Sequence, residues 1–210
     1  MDGIKNAFAW DQGGIWMYFI LAISIACLGL IIERFTFIFF KYNISASAFM
    51  EQIQRSVMSD NIERAVKLCN SQQNAALARV IKAGLTKANR SELEIQNAVE
   101  EASLEVIPLV LRRLPMLAAL ANIATLCGLL GTIIGLINAF GALETASPEN
   151  RQAMLSRGIA IAMNTTAFGL IVAIPTLLLH MVISSVARKI IEDIELYSTK
   201  LNNMLSSRSK

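Results

Sequence analysis

Residues 114–143, LPMLAALANIATLCGLLGTIIGLINAFGAL, decide the fold, because no Asp, Glu, Lys or Arg interrupts them. Two further stretches also lack these residues: 158–187, GIAIAMNTTAFGLIVAIPTLLLHMVISSVA, and 14–32 nearer the N-terminus. A helix crosses the hydrocarbon core of a bilayer with about 20 apolar residues, so each stretch is long enough. The sequence therefore predicts an all-α membrane protein with three transmembrane helices, two of them long and extending into a cytoplasmic helical bundle.

The composition of the whole chain agrees with a membrane protein. Hydrophobic residues make up 54% of its 210 residues and charged residues 17%, with a mean hydropathy of +0.51. The net charge of +3 is small and does not indicate nucleic-acid binding. We expect no cofactor and no metal site, because Cys27, Cys69 and Cys127 show no CxxC or Cys/His spacing.

Basic residues outside the apolar stretches predict the orientation of the chain. Most of them lie in residues 33–113 and 188–210, whereas residues 1–13 and 144–157 carry few. Short loops rich in Lys and Arg stay in the cytoplasm. Residues 33–113 are therefore predicted to be a cytoplasmic helical region and residues 188–210 a cytoplasmic C-terminal helix. Residues 1–13 are predicted to be a periplasmic or interfacial segment, and residues 144–157 a periplasmic loop.

Helix signals recur through residues 33–113. Ser91 and Glu94 have the spacing of a capping box at the start of an amphipathic helix, and Asp60 is predicted to cap an earlier helix. Apolar side chains then recur every three or four residues. A second such stripe near the C-terminus should pack on the bundle or on a neighbouring subunit. The two stripes consist of Ile95, Val99, Ala102, Val106 and Leu109, and of Ile190, Ile194, Tyr197, Leu201 and Leu205.

Small residues share one face of each long apolar stretch. Steps of three or four residues place them together on a helix, and small residues let membrane helices approach closely. The segment GTIIG, residues 131–135, also has the GxxxG spacing, and Pro175 should loosen one turn of the later helix. The two faces consist of Thr125, Gly128, Thr132, Gly135 and Ala139, and of Gly158, Ala162, Thr166, Gly169, Ala173, Thr176 and His180.

Two interpretations of these faces stay open. The first is tight helix packing alone. The second is that the threonine-bearing faces line a passage through an oligomer, because hydroxyls donate and accept hydrogen bonds without carrying charge. An asparagine on such a face can serve the passage or join two helices. The packing candidates are Gly128, Gly131, Gly135, Gly169 and Pro175, and the candidates for the ion pathway are Thr125, Thr132, Thr165, Thr166 and Asn164.

The lack of charge has a consequence for ion conduction. Membrane helices that carry ions usually display an ionisable group at depth, yet the three stretches contain no acid or strong base. A proton channel built from this chain would need a carboxylate from a partner, or would use His180. A lone histidine near the end of a span is more typical of the membrane interface than of a proton relay.

Two signatures resemble a known family. The segment LLGTIIGLINAF, residues 129–140, resembles the LLGT-(I/V)-IG sequence that precedes a Phe in ExbB and TolQ proteins. The segment TTAFGLIVAIP, residues 165–175, resembles their TTAxGLxVAIP sequence, and residues 13–35 resemble their first helix, which ends in a Glu-Arg pair. The chain therefore resembles the MotA/TolQ/ExbB proton channel family over nearly its whole length, and its ExbB/TolQ branch most closely.

The resemblance implies a homopentamer in the bacterial inner membrane, surrounded by lipids, whose second and third spans line a central pore. It implies two copies of a single-span ExbD/TolR/MotB-like partner in that pore, each with an Asp that takes up and releases the proton. Thr132 and Thr166 would be pore threonines near that Asp, with Thr165 as their companion. Such a non-enzymatic complex would couple the proton-motive force to mechanical work in TonB-type import, envelope maintenance or gliding motility.

One position departs from the family pattern. Ile161 stands where several ExbB and TolQ proteins have a Glu five residues before the second threonine. A Glu-dependent step is therefore absent, or is replaced by water and hydroxyls. The alternative function is a structural membrane scaffold without ion flux, which explains the small-residue faces equally well. The sequence leaves open which process is powered. It also leaves open whether the conducted ion is H⁺ or Na⁺, because hydroxyl-lined faces can serve either ion.

Overall fold

A computed structural model of the chain describes residues 14–145 and 147–208, and every regular element within them is helical. The predicted N-terminal segment, residues 1–13, lies outside the described residues. The helices in chain order are α1 (Gly14–Thr36), the π-helical segment Phe37–Tyr42, α2 (Ala46–Met58), α3 (Ile62–Ser71), α4 (Ala76–Thr86), α5 (Glu92–Leu111), α6 (Leu114–Thr145) and α7 (Arg151–Arg208).

Three helical stretches in the described part of the chain are long and apolar enough to cross a membrane. They are Ile15–Met58, Glu92–Glu144 and Arg151–Ser207. The predicted transmembrane stretches fall inside α1, α6 and α7. The prediction of an all-α chain with three helices of membrane-crossing length is therefore confirmed, and the cytoplasmic position of residues 33–113 stays a prediction.

Helices α6 and α7 continue past the charged residues that bound the predicted spans. Between Thr145 and Arg151 the described connection is a short turn, in which the Asn150 N–H donates to the Ser147 carbonyl at 2.9 Å. Most of the predicted loop 144–157 is therefore helical. Helix α7 also runs on to Arg208, and Pro175 lies inside it without ending it.

The chain divides into two compact units. Among the described residues, the first unit contains 14–32, 113–145 and 147–181, and the second contains 33–112 and 182–208. In the first unit, Cys27 and Ile31 of α1 form a buried cluster with Leu117 of α6. This cluster joins the shortest of the three apolar helices to the α6–α7 pair through side-chain contacts.

Apolar stripes hold the second unit together, as the spacing of these residues predicts. The end of α7 packs on α4 and α5 of its own chain, because a Cβ placed on Gly84 would lie 2.7 Å from Val99 Cγ2 and 2.8 Å from Leu201 Cδ2. This contact favours packing on the chain's own bundle over packing on a neighbouring subunit. The buried members of the two stripes are Ile95, Val99 and Val106, and Ile190, Ile194, Leu201 and Leu205.

One of the two predicted helix caps is confirmed and the other is wrong. The Glu94 N–H donates to Ser91 Oγ at 3.3 Å, and α5 begins at the next residue after Ser91. Asp60 does not cap α3, because it adopts a left-handed backbone with φ of 58° and its N–H donates to the Val57 carbonyl. The cap is Asn61, whose Oδ1 accepts from the Arg64 N–H at 2.9 Å.

Removing the Ser91 cap should loosen the start of α5. Ser91→Ala deprives the Glu94 N–H of its acceptor, which costs about 1 kcal/mol. Hydrogen exchange of the amides in the first turn of α5 should therefore become about fivefold faster. Ser71→Ala is the matched control, because the Ser71 hydroxyl only donates to the Leu68 carbonyl at the end of α3. Equal exchange of the α5 amides in the two variants would contradict the prediction.

Candidate functional site

Helices α6 and α7 pack against each other through small residues along much of their apolar length. A Cβ placed on Gly169 would lie 2.8 Å from the Ala124 carbonyl oxygen and 3.2 Å from Gly128 Cα, so the two backbones touch here. Farther along, a Cβ on Gly135 would lie 2.9 Å from the Cβ of Ala162. Contacts between glycine and alanine backbones require the close approach that small residues permit in membrane helices.

All three apolar helices meet at Gly131. A Cβ added there would collide with the Thr165 side chain and would lie 3.3 Å from the Cβ of Trp16 on α1. Thr165 is buried, and its hydroxyl donates to the Ile161 carbonyl one turn earlier at 3.2 Å. Thr165 therefore packs between helices of one chain, and its place in an ion pathway stays a prediction. Ile161, at the position of the departure from the family pattern, is buried beside it.

The hydroxyls of Thr132 and Thr166 form a hydrogen-bonded pair between α6 and α7. Each also reaches across to the partner helix. Thr132 Oγ1 lies 3.1 Å from the Ala162 carbonyl oxygen, and Thr166 Oγ1 lies 3.0 Å from the Gly128 carbonyl oxygen. Each hydroxyl has one proton, so at any moment it donates either to a carbonyl or to the other hydroxyl. The Gly128 carbonyl is also 3.2 Å from Thr132 Oγ1 on its own helix. The two threonines are therefore locked into one network of hydroxyls and carbonyls.

The hydrogen bonds from the two threonines to the opposite helix are reciprocal. Each hydroxyl bonds to the carbonyl that lies four residues before the other threonine, namely Ala162 before Thr166 and Gly128 before Thr132. The two carbonyls are part of the site that the sequence analysis missed. Their signal was present in the sequence, since both threonines have Gly or Ala at position i−4, where a larger side chain would keep the opposite hydroxyl away.

The other predicted pathway residues lie apart from this pair. Thr125 is half-buried and its hydroxyl donates to the Ala121 carbonyl at 3.3 Å, on its own helix. Asn164 is half-buried on α7, directly before Thr165 and two residues before Thr166. Pro175 is exposed, and the hydroxyl of the next residue, Thr176, donates to the Val172 carbonyl at 2.7 Å. Thr125 and Asn164 stay predictions as parts of an ion pathway, and Pro175 stays a prediction as a packing residue.

The chemistry of the pair is that of a neutral, polar contact in an apolar wall. Thr132 and Thr166 are half-buried, so the hydroxyl network is not sealed from the surface of the chain. A hydroxyl can donate one hydrogen bond and accept two. The pair can therefore switch between donating to a carbonyl and donating to another acceptor, or accept from a protonated acid, without a change in its own charge.

The thiol of Cys69 is buried and not activated for chemistry. All three cysteines are free. In the second unit, burial raises the pKa of the Cys69 thiol to about 12, so that sulfur stays protonated at neutral pH. A protonated thiol is a poor nucleophile, and Cys69 contributes as a small buried side chain.

Sequence comparison shows which known proteins this chain is similar to. Residues 72–196 match the MotA/TolQ/ExbB proton channel family, and this region includes both threonines. A protein named ExbB-like 3 from Synechocystis sp. is 30% identical over 79% of this chain and 79% of its own length. A protein named as an ExbB homolog from Methanothermobacter thermautotrophicus is 27% identical over 96% of this chain and 73% of its own length.

A shorter match is to a protein named TolQ. The Tol-Pal system protein TolQ of Haemophilus influenzae is 41% identical over 32% of this chain and 29% of its own length. Together with the family match over residues 72–196 and three helices of membrane-crossing length, these similarities settle the assignment. The chain belongs to the MotA/TolQ/ExbB proton channel family, in its ExbB/TolQ branch, and is a multi-pass membrane protein.

Proposed function

We propose that this chain is the pore-forming subunit of a proton channel that couples the proton-motive force to mechanical work across the cell envelope. Five copies surround two copies of a single-span ExbD/TolR-like partner. The N-terminus is periplasmic and the C-terminus cytoplasmic, in the bacterial inner membrane. The work is TonB-type import, envelope maintenance or gliding motility. The observation that carries the proposal is the Thr132–Thr166 hydroxyl pair between two helical stretches, residues 114–143 and 158–187, that lack acids and strong bases.

The pair supplies what an external acid needs in an apolar pore. A carboxylate in low dielectric is costly unless hydrogen bonds stabilise it. An ionised Asp of the partner accepts hydrogen bonds from Thr132 and Thr166, and a protonated Asp donates to their oxygens. An uncharged wall alone would favour the protonated acid, and the hydrogen bonds from the two hydroxyls reduce that bias by stabilising the carboxylate. The acid can therefore titrate during transport without being held in one state.

The absence of a second acid supports a simple route. Ile161 is apolar and buried at the position where several relatives place a Glu. The proton therefore moves between the partner Asp and water, with Thr132 and Thr166 as neutral hydrogen-bonding groups. We assign Thr125 and Asn164 to the polar lining that hydrates this route.

Measurement of proton flux across the membranes of reconstituted vesicles tests the proposal. The full chain is reconstituted in liposomes that contain a pH-sensitive dye, with and without a single-span partner co-purified from native membranes. A membrane potential should drive flux when the partner carries its intramembrane Asp, and an Asp→Asn substitution in the partner should abolish it. Native mass spectrometry confirms assembly in each sample. If the complex assembled but showed no proton flux, the channel function would be refuted in favour of the structural scaffold.

A further inference from the structure

Helix α5 carries an exposed stripe in which leucines alternate with polar and acidic residues. Leu93 and Leu104 are 66% and 70% exposed, and the exposed residues Asn97 and Glu100 lie between them at steps of four, three and four residues. This spacing is typical of a helix face that packs on another surface. Lipid is an unsuitable cover, because α5 contains five glutamates and no base and charged side chains are costly in hydrocarbon. We call these four residues the α5 stripe.

A groove lies on the surface of the same compact unit. It has a volume of about 460 Å³ and is formed by the end of α3, by α4 and by the other side of α5. Arg79 and Lys82 of α4 contribute two cations to its lining, against one acid, Glu105. Neither cation forms an ion pair with a carboxylate in the described part of the chain. The small and apolar residues of the lining include Ala78, Ala83, Ala102 and Val106.

The charges of the two surfaces favour a contact between the α5 stripe and this groove, which we call the α4 groove. Glu100 and Glu101 precede Leu104 by one helical turn, so both carboxylates lie beside that leucine. Arg79 and Lys82 are likewise neighbours on one face of α4. Two copies that met through the same stripe would oppose their carboxylates, and like charges across an interface are unfavourable. A stripe against a groove pairs acids with cations instead.

We propose that the α5 stripe of one copy docks in the α4 groove of the next copy. Leu104 enters the groove over its small side chains, and Glu100 and Glu101 pair with Arg79 and Lys82. A contact between two different surfaces of one chain repeats from copy to copy and can close into a ring. The inference rests on the proposed function in one respect, since it requires an assembly of several copies, and it names the surfaces that join them.

Photo-crosslinking identifies what covers the α5 stripe. Leu104 is replaced by p-benzoylphenylalanine in the full chain, which is reconstituted in liposomes with its co-purified partner. Leu104 is 70% exposed, so the replacement should not disturb folding. Irradiation should yield adducts between two copies, and peptide mapping should place them on α4 or the end of α3. The same replacement at Met58, which is 77% exposed on α2, should not label these helices. Adducts to α5 of another copy, to the partner or to lipid alone would overturn the proposal.

Exchange of two charges tests the pairing of the surfaces. Glu101 and Arg79 are both exposed. Glu101→Lys and Arg79→Glu should each lower the yield of the copy-to-copy adduct about fivefold, because each reversal replaces an attraction by a repulsion. A chain with both substitutions should recover the yield to within about twofold, because the attraction returns with opposite polarity. Glu195→Lys, which reverses an exposed acid on α7 outside both surfaces, should leave the yield unchanged. Failure of the double substitution to restore the adduct would overturn the pairing.

Assembly and flux distinguish failure of this inference from failure of the proposed function. Native mass spectrometry counts the copies in the complex, and dye-loaded liposomes report proton flux. If the complex contained several copies and conducted protons but position 104 gave no adduct to α4 or α3, the docking contact would be refuted and the channel would stand. If the chain remained a single copy, both the docking contact and the proposed assembly would be refuted.

Discussion

Thr132→Ala and Thr166→Ala should each reduce partner-dependent proton flux about 10- to 100-fold. Each substitution removes one of the two hydroxyls that we assign to the partner's Asp, and a hydrogen bond to a charged group contributes about 1.5–3 kcal/mol. The two residues share one network. The double variant should therefore lose little more flux than either single variant, because losses within a network are not additive.

Controls separate the hydroxyl from the rest of the side chain. Thr132→Ser and Thr166→Ser keep a hydroxyl at the same carbon, so flux should stay within about twofold of the original. Thr199→Ala on the same helix α7 removes an exposed hydroxyl that only donates to the Glu195 carbonyl at 3.0 Å. It should leave flux unchanged. Flux is measured with the dye-loaded liposomes and assembly by native mass spectrometry. Full flux in both alanine variants of an assembled complex would refute the role of the threonine pair.

Gly169→Val should separate α6 from α7. Even its Cβ would lie 2.8 Å from the Ala124 carbonyl oxygen and 3.2 Å from Gly128 Cα. Both neighbours are backbone atoms, so no rotamer change can relieve the collision. Overpacking that side chains can accommodate costs about 1–3 kcal/mol, and here the cost should reach or exceed the upper end of that range. The free energy of unfolding, measured by titration of detergent micelles with SDS, should fall accordingly.

Gly141→Val is the matched control for this prediction. Gly141 lies on α6, and a Cβ added there meets no atom within 4 Å. Replacing glycine inside a helix by a residue with a side chain slightly favours the helix, by a few tenths of a kcal/mol for valine. The control should thus be neutral or slightly more stable. If both variants unfolded at the same SDS concentration, the close backbone contact at Gly169 would not matter for stability.

The number and place of the long helices could be predicted, because membrane-crossing length and charge leave few alternatives. The ends of those helices could not. Charged residues mark where a chain leaves the hydrocarbon, whereas helix ends are set by backbone groups and caps. Thus α6 runs past Glu144 to Thr145, and the turn before α7 depends on Ser147 and Asn150. The prediction of Asp60 as a cap was wrong for a similar reason, because the neighbouring Asn61 is an equally good cap and the sequence does not distinguish them.

The residues of the candidate site could be predicted, but their partners could not. Spacing placed Thr132 and Thr166 on faces rich in small residues, and left open what those faces contact. The reciprocal bonds to the Gly128 and Ala162 carbonyls depend on the register of α6 against α7, which periodicity within one helix does not determine. The contact of Trp16 on α1 with Gly131 likewise cannot be predicted from spacing within one helix.

The crossed threonine bonds restrict how α6 and α7 can move against each other. Sliding α6 along α7 by even one residue would break the bonds from Thr132 to Ala162 and from Thr166 to Gly128 at the same time. It would also drive the Ala124 carbonyl past Gly169. Sliding of α6 along α7 is therefore disfavoured, and the two helices should move together as one rigid body. In the complex that we propose, any movement that accompanies transport would therefore take place at other surfaces.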